Sequence, residues 1–188
     1  MKIQTIAYIV IAVLIGIGIG YSLTPEYAQG MKERAPDMME LGVPDKNLDL
    51  RYIRGMVSHH LAAIDLCTQT RATTKRDELA TLCTAIISAD QKGIEELNTW
   101  RSAWYQSKEP ITSYTKINLG TYDEQSDLRF LNAMINHHTE AIDIAREVMG
   151  KSTRKEVLSL ADEVISGLSV NKAQLIAWRK AWYDVGNE

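Results

Sequence analysis

At 188 residues, 45% hydrophobic and 24% charged, the chain has the make-up of a globular protein with room for one real core. A formal charge of -3 argues against a nucleic-acid partner, because phosphate binding needs a concentrated basic surface and none is visible. The two cysteines, Cys67 and Cys83, are too few for a disulfide framework.

The chain opens on an apolar run. Residues 3–23 carry no charge and are rich in Ile, Val, Ala and Leu, close to the ~20 residues a helix needs to cross a bilayer. This predicts a transmembrane anchor over residues 1–23. Lys2 and the α-amino group place the N-terminus in the cytoplasm and everything after Leu23 outside, in a periplasmic or extracellular space. A cleaved signal fits less well, since Glu26-Tyr27-Ala28 is a poor cleavage site. Gly16 and Gly20 form a small-xxx-small pair, which is explained well enough by the frequency of glycine in membrane helices. Residues 24–47, with Pro25, Pro36 and Pro44, read as an irregular tether. They also hold Met31, Met38 and Met39.

The remainder is a repeat. Offset by 78 positions, residues 51–105 align without a gap on residues 129–183. Arg-Tyr-Ile-Arg-Gly-Met-Val-Ser-His-His meets Arg-Phe-Leu-Asn-Ala-Met-Ile-Asn-His-His, and the units end on WRSAWY and WRKAWY. Each unit reads as two helices. In the first, Ile53, Met56, Val57, His60, Ile64 and Cys67 recur at helical spacing. A polar break follows, and Leu79, Leu82, Ile86, Ile87, Ile94, Leu97, Trp100 and Trp104 carry the second helix to about Tyr105. In the second unit, Gly150 marks a helix C-cap and Thr153 with Glu156 a capping box. A hairpin cannot bury its apolar face alone, so residues 48–188 are expected to form a four-helix bundle. The linker between the hairpins, residues 106–128, is long enough for either an up-down-up-down or a crossover, ferritin-like order.

Met56, His59 and His60 occupy positions i, i+3 and i+4 of one helix, and Met134, His137 and His138 repeat them. The chain has four histidines, all in these two segments. Neutral imidazole is the commonest metal ligand, and a thioether beside it suits a soft ion such as Cu(I) or Ag(I). A single His-His pair would more often be a packed boundary feature, with Met as gap-filler; the repeat of the whole unit tips the balance toward ligands. Neighbouring residues differ by about 100° around a helix. His60 shares the apolar stripe, so it is expected to face inward, with His59 peripheral. Asp65 and Asp143 suit an outer, supporting role. The Glu-x-x-His of carboxylate-bridged di-iron bundles does not occur.

The Trp100–Trp104 and Trp178–Trp182 pairs are expected to plug the end of each hairpin, near the start of its first helix. Cys67 and Cys83 fall on antiparallel neighbours, and their counterparts are Ala145 and Ala161. In an oxidising space this pairing predicts a disulfide.

These segments, MVSHHLAAIDLC and MINHHTEAIDIA, resemble the M-x-x-H-H-x-x-A-I-x-M-A core of the family catalogued as domain of unknown function 305, over residues 49–183. The resemblance implies a ferritin-like four-helix bundle and, for some members, periplasmic copper binding through Met and His. Carried over, the candidate ligands are Met56, His59, His60, Met134, His137 and His138. The pattern's later methionine is replaced by Leu66 and Ile144, which predicts weaker copper binding or a different ion. The function expected is a non-enzymatic, membrane-anchored copper protein for storage, tolerance or delivery. The alternatives are a metal-free adaptor subunit of a membrane complex or a homo-oligomer, and a redox protein with haem or a dinuclear metal centre.

Overall fold

The computed structural model describes residues 40–185. These fold into α1 (Leu48–Arg71), α2 (Asp77–Tyr105), α3 (Ser126–Met149) and α4 (Lys155–Tyr183). Every helix has an acidic residue in its first turn, Asp49, Asp77 with Glu78, Asp127 and Glu156, where a carboxylate complements the helix dipole. Gly150 caps α3 as its position suggested. The capping box at Thr153 and Glu156 does not form. Arg154 takes the cap position of α4 without a side-chain cap bond, and its N–H donates to Ser152 Oγ at 3.1 Å. The reason lies in the other hairpin: the Arg154 guanidinium pairs with Asp49 at 3.1 Å and covers the Trp104 ring at 4.0 Å. Arg76, at the cap of α2, makes the mirror contacts with Asp127 at 3.4 Å and Trp182 at 4.1 Å.

α1 packs along α2, α3 along α4, and the hairpins meet through α1 and α3. Two apolar clusters fill the bundle. One joins Leu48, Tyr52, Ile53 and Val57 at the start of α1 to Leu97 of α2, Ile144 and Val148 at the end of α3, and Val157 of α4. The other joins Leu66 at the end of α1 to Leu79 of α2, Phe130 and Leu131 at the start of α3, and Leu175 of α4. α1 and α3 are therefore antiparallel, and the order is up-down-down-up. The crossover linker carries the chain the length of the bundle, laying Ile111 on the first cluster and Ile117 and Leu119 on the second. This is the ferritin-like alternative.

The repeat reaches further back than the alignment from Arg51 suggests. Arg51 donates to the carbonyls of Leu41 and Val43 at 2.7 Å each and pairs with Asp45 at 2.8 Å. Arg129 donates to the carbonyls of Leu119 and Thr121 at 2.6 and 2.8 Å and pairs with Asp123 at 2.9 Å. Gly42 and Gly120, at φ 65° and 75°, provide the left-handed turn that both straps need. The tryptophans behave as expected, stacking at 5.1 and 5.3 Å and packing on the first helix of their own hairpin.

Two expectations are corrected. Among the described residues no helix is long and apolar enough to cross a membrane, because each carries charges along its exposed face. The predicted anchor over residues 1–23, with Gly16 and Gly20, lies outside the described residues, as do Met31, Met38 and Met39. Among the described residues the fold is thus a four-helix bundle with no transmembrane helix, and neither single-pass attachment to the cytoplasmic membrane nor a membrane partner follows from it. The predicted disulfide is also absent. Cys67 and Cys83 are free, buried thiols of the second cluster. The thiol of Cys67 is pushed up, first by its hydrogen bond to Cys83 and then by burial, which keeps it protonated.

Candidate metal centre

The two MxxHH segments meet where α1 and α3 cross. The rings of His59 and His137, equivalent residues of the repeat, stack with centroids 3.5 Å apart and planes 14° from parallel. His60 and His138 flank them, at 6.3 and 6.4 Å from their neighbours in sequence. Met56 belongs to the first apolar cluster and Met134 to the second, each fully buried. The histidines thus form a polar layer at the waist of the molecule, with a methionine on either side. His59, not His60, is the inward member of its pair. The helix that packs on this face is α3, and it meets α1 at position 59, away from the centre of the stripe that continues through His60 toward α2.

The layer is largely unpaired. His59 Nε2–H donates to the His137 carbonyl oxygen at 3.1 Å, which leaves Nδ1 with a lone pair. That Nδ1, Nε2 of His137 and both ring nitrogens of His138 are buried with no hydrogen-bond partner among the described residues. A buried polar group left unpaired costs about 1–3 kcal/mol, comparable to what one fully buried leucine contributes, about 1.5–3 kcal/mol. The imidazoles of His59, His137 and His138 are neutral. Burial, followed by the charge of His60, brings His59 down to about 4. Burial and the neighbouring histidines hold His137 well below the ordinary histidine value. Burial, then His59, brings His138 to about 4. Unprotonated, desolvated nitrogens beside thioethers are donors for a soft cation.

His60 differs from the other three. It turns toward α2, where its Nδ1 lies 3.2 Å from Oδ1 of Asp90 and its ring rests on Gly93. Asp90 and Gly93 do not stand out in the sequence. The hairpin register would have found Asp90: His60 is seven residues before Cys67 on α1, and Asp90 seven after Cys83 on α2. Asp65 and Asp143 do not support the histidines. Asp65 accepts from Gln69 at 2.9 Å, and Asp143 pairs with Arg146 at 3.4 Å. Among the described residues no three His, Cys, Asp or Glu side chains converge on one metal position.

The family model described as Domain of unknown function (DUF305) matches the chain twice, over residues 49–126 and 127–188. The chain belongs to this family. Both of its DUF305 units carry an MxxHH segment, and the unit boundary falls at the start of α3. Solved structures similar to it include CopM in the Cu(I)-bound form, 28% identical with a TM-score of 0.65, the match covering 72% of this chain and 97% of that one. CopM in the Ag-bound form, obtained by co-crystallization, is 29% identical at a TM-score of 0.65 with the same coverage. The Cu(II)-bound form is 27% identical at 0.64. No curated protein matches.

Proposed function

We propose that this DUF305 chain is a binding protein, not an enzyme, and that its cargo is copper, Cu(I) foremost, held for storage, tolerance or delivery. The ligands are Met56, His59 and His60 of α1 and Met134, His137 and His138 of α3. The observation that carries this reading is the set of buried, neutral ring nitrogens without partners. Such a layer opposes folding unless something else is gained from it, and coordination of a soft ion is what these donors offer. The CopM structures bound to Cu(I), Cu(II) and Ag support the choice of ion.

The ligands assemble on the ion. The stacked rings part, and the thioethers, on three rotatable bonds each, swing out of their clusters. An adaptor with structural histidines would pair their nitrogens, whereas four of those in this layer are buried with no partner among the described residues. Haem asks for more: rings stacked face to face at 3.5 Å would have to part far enough to admit a whole macrocycle, not one ion.

The test is a Cu(I) titration of the full chain against a chromophoric chelator, repeated with all four histidines changed to Ala and, as a gentler variant, with Met56→Leu and Met134→Leu. The wild-type chain is expected to strip the chelator, the four-histidine variant to lose that capacity and the methionine variant to weaken. A wild-type chain that does not compete would overturn the copper reading.

A further inference from the structure

The repeat breaks around the histidine layer where α2 and α4 face it. Asp90 stands 3.2 Å from His60, but the residue 78 positions after Asp90 is Leu168. His138, the counterpart of His60, therefore has no carboxylate at that place. The Lys172 ammonium, at the position Ile94 holds in the first hairpin, also acts on it. Gly93 likewise becomes Asn171. A Cβ on Gly93 would lie 3.0 Å from Nε2 of His60, so α2 is pared to its backbone to admit this ring. The side chains of His60 and Asp90 keep 15% and 17% of their surface open to solvent, whereas His138 is 3% exposed. The charge of Asp90 also reaches His59 and His138 through space.

We infer that Asp90 is a positioning residue that makes the two halves of the layer unequal. It holds the His60 ring with its proton on Nδ1, beside the carboxylate, and its lone pair on Nε2, so that the first hairpin takes up the first soft cation and the second hairpin the next. The inference rests on the metal-binding reading above. Two physical effects carry it. A carboxylate behind a ligating imidazole fixes its tautomer and raises its basicity, and losing such a partner typically weakens metal affinity about 10–100-fold. On the other side, a cation arriving at His138 meets a like charge on Lys172 and finds no carboxylate paired with the ring, the charge of Asp90 reaching it only through space.

The experiment uses the full chain with 15N-labelled histidine, observed by long-range 15N–1H NMR and titrated with Ag(I), which is redox-inert and diamagnetic. In the metal-free chain His60 is expected to carry its proton on Nδ1. On titration its signals are expected to move before those of His138. Asp90→Asn is expected to weaken the first binding step about 10–100-fold and to abolish the order, while the His59 and His137 signals of the metal-free chain report an intact layer. Leu168→Asp is expected to tighten the second step. A His60 ring protonated on Nε2, or an Asp90→Asn chain with wild-type affinity and order, would overturn the inference while leaving the metal-binding reading in place. A wild-type chain that takes up no Ag(I) would overturn both.

Discussion

His59 and His137 stack ring on ring at 3.5 Å, and they are the same residue of two copies of one ancestral hairpin. Their contact marks the pseudo-two-fold axis that relates the halves. Everything else in the layer is placed by it: a copy of Met-x-x-His-His runs away on either side in opposite directions. The layer interrupts the apolar core at the point where the hairpins join, which ties metal chemistry to the stability of the bundle.

His138→Leu is therefore expected to stabilise the metal-free chain, by about 1–3 kcal/mol, because it removes two buried nitrogens with no partner among the described residues. Urea unfolding in the presence of a chelator measures this. A variant less stable than wild type would show that the imidazole is better satisfied than its surroundings indicate.

Acid should unfold the metal-free chain earlier than its carboxylates require. In the folded state His59 and His138 are held down to about 4, against 6.5 for an unperturbed histidine. Between these values the unfolded chain binds more protons, so stability rises with pH across the window. The contribution is complete above 6.5 and is lost as the pH falls toward 4, at roughly 3 kcal/mol or less per group. Unfolding curves at pH 7.5 and 4.5 are expected to show the loss, and the four-histidine variant to show little of it. Equal slopes for the two chains would contradict the burial of neutral imidazole.

Much of this layer is legible in the sequence, and the illegible part has a definite physical origin. The helices and the duplication follow from a 3.6-residue period and an ungapped offset, which no tertiary detail disturbs. Which imidazole faces inward does not. His60 lies on the apolar stripe with Val57 and Ile64, but that stripe serves α2, while α3 approaches one residue round the helix and meets His59. Asp90 is hidden because the second unit has Leu168 in its place, so comparing the repeats discards it. The cap of α4 is missed because Arg154 is committed to Asp49 and Trp104, contacts between hairpins that no local motif records.

The straps ahead of α1 and α3 depend on a planar fork. Arg129→Lys keeps the charge but cannot reach the Leu119 and Thr121 carbonyls and Asp123 together. A loss of about 1–2 kcal/mol in urea unfolding is expected, and a similar loss for Arg51→Lys. No change in either would mean that the straps are held by Leu41 and Leu119 packing alone.

The thiols are expected to be dispensable for metal. Replacing Cys67 and Cys83 by Ala installs the residues found at the equivalent positions, Ala145 and Ala161, which are fully buried in the other cluster. The double variant should fold with a loss of about 1 kcal/mol per site or less, a sulfur being close to a methylene in the area it buries. Its Cu(I) stoichiometry should match wild type. Loss of one equivalent would assign the thiols to a metal site.

The most direct test is an anomalous difference map from crystals of the full chain loaded with Cu(I). The account predicts a peak at the waist of the bundle, between α1 and α3, bonded to imidazole nitrogens of the His59, His60, His137 and His138 layer, with Met56 or Met134 sulfur alongside. A peak at Cys67 and Cys83 instead, or none within bonding reach of these histidines, would contradict it.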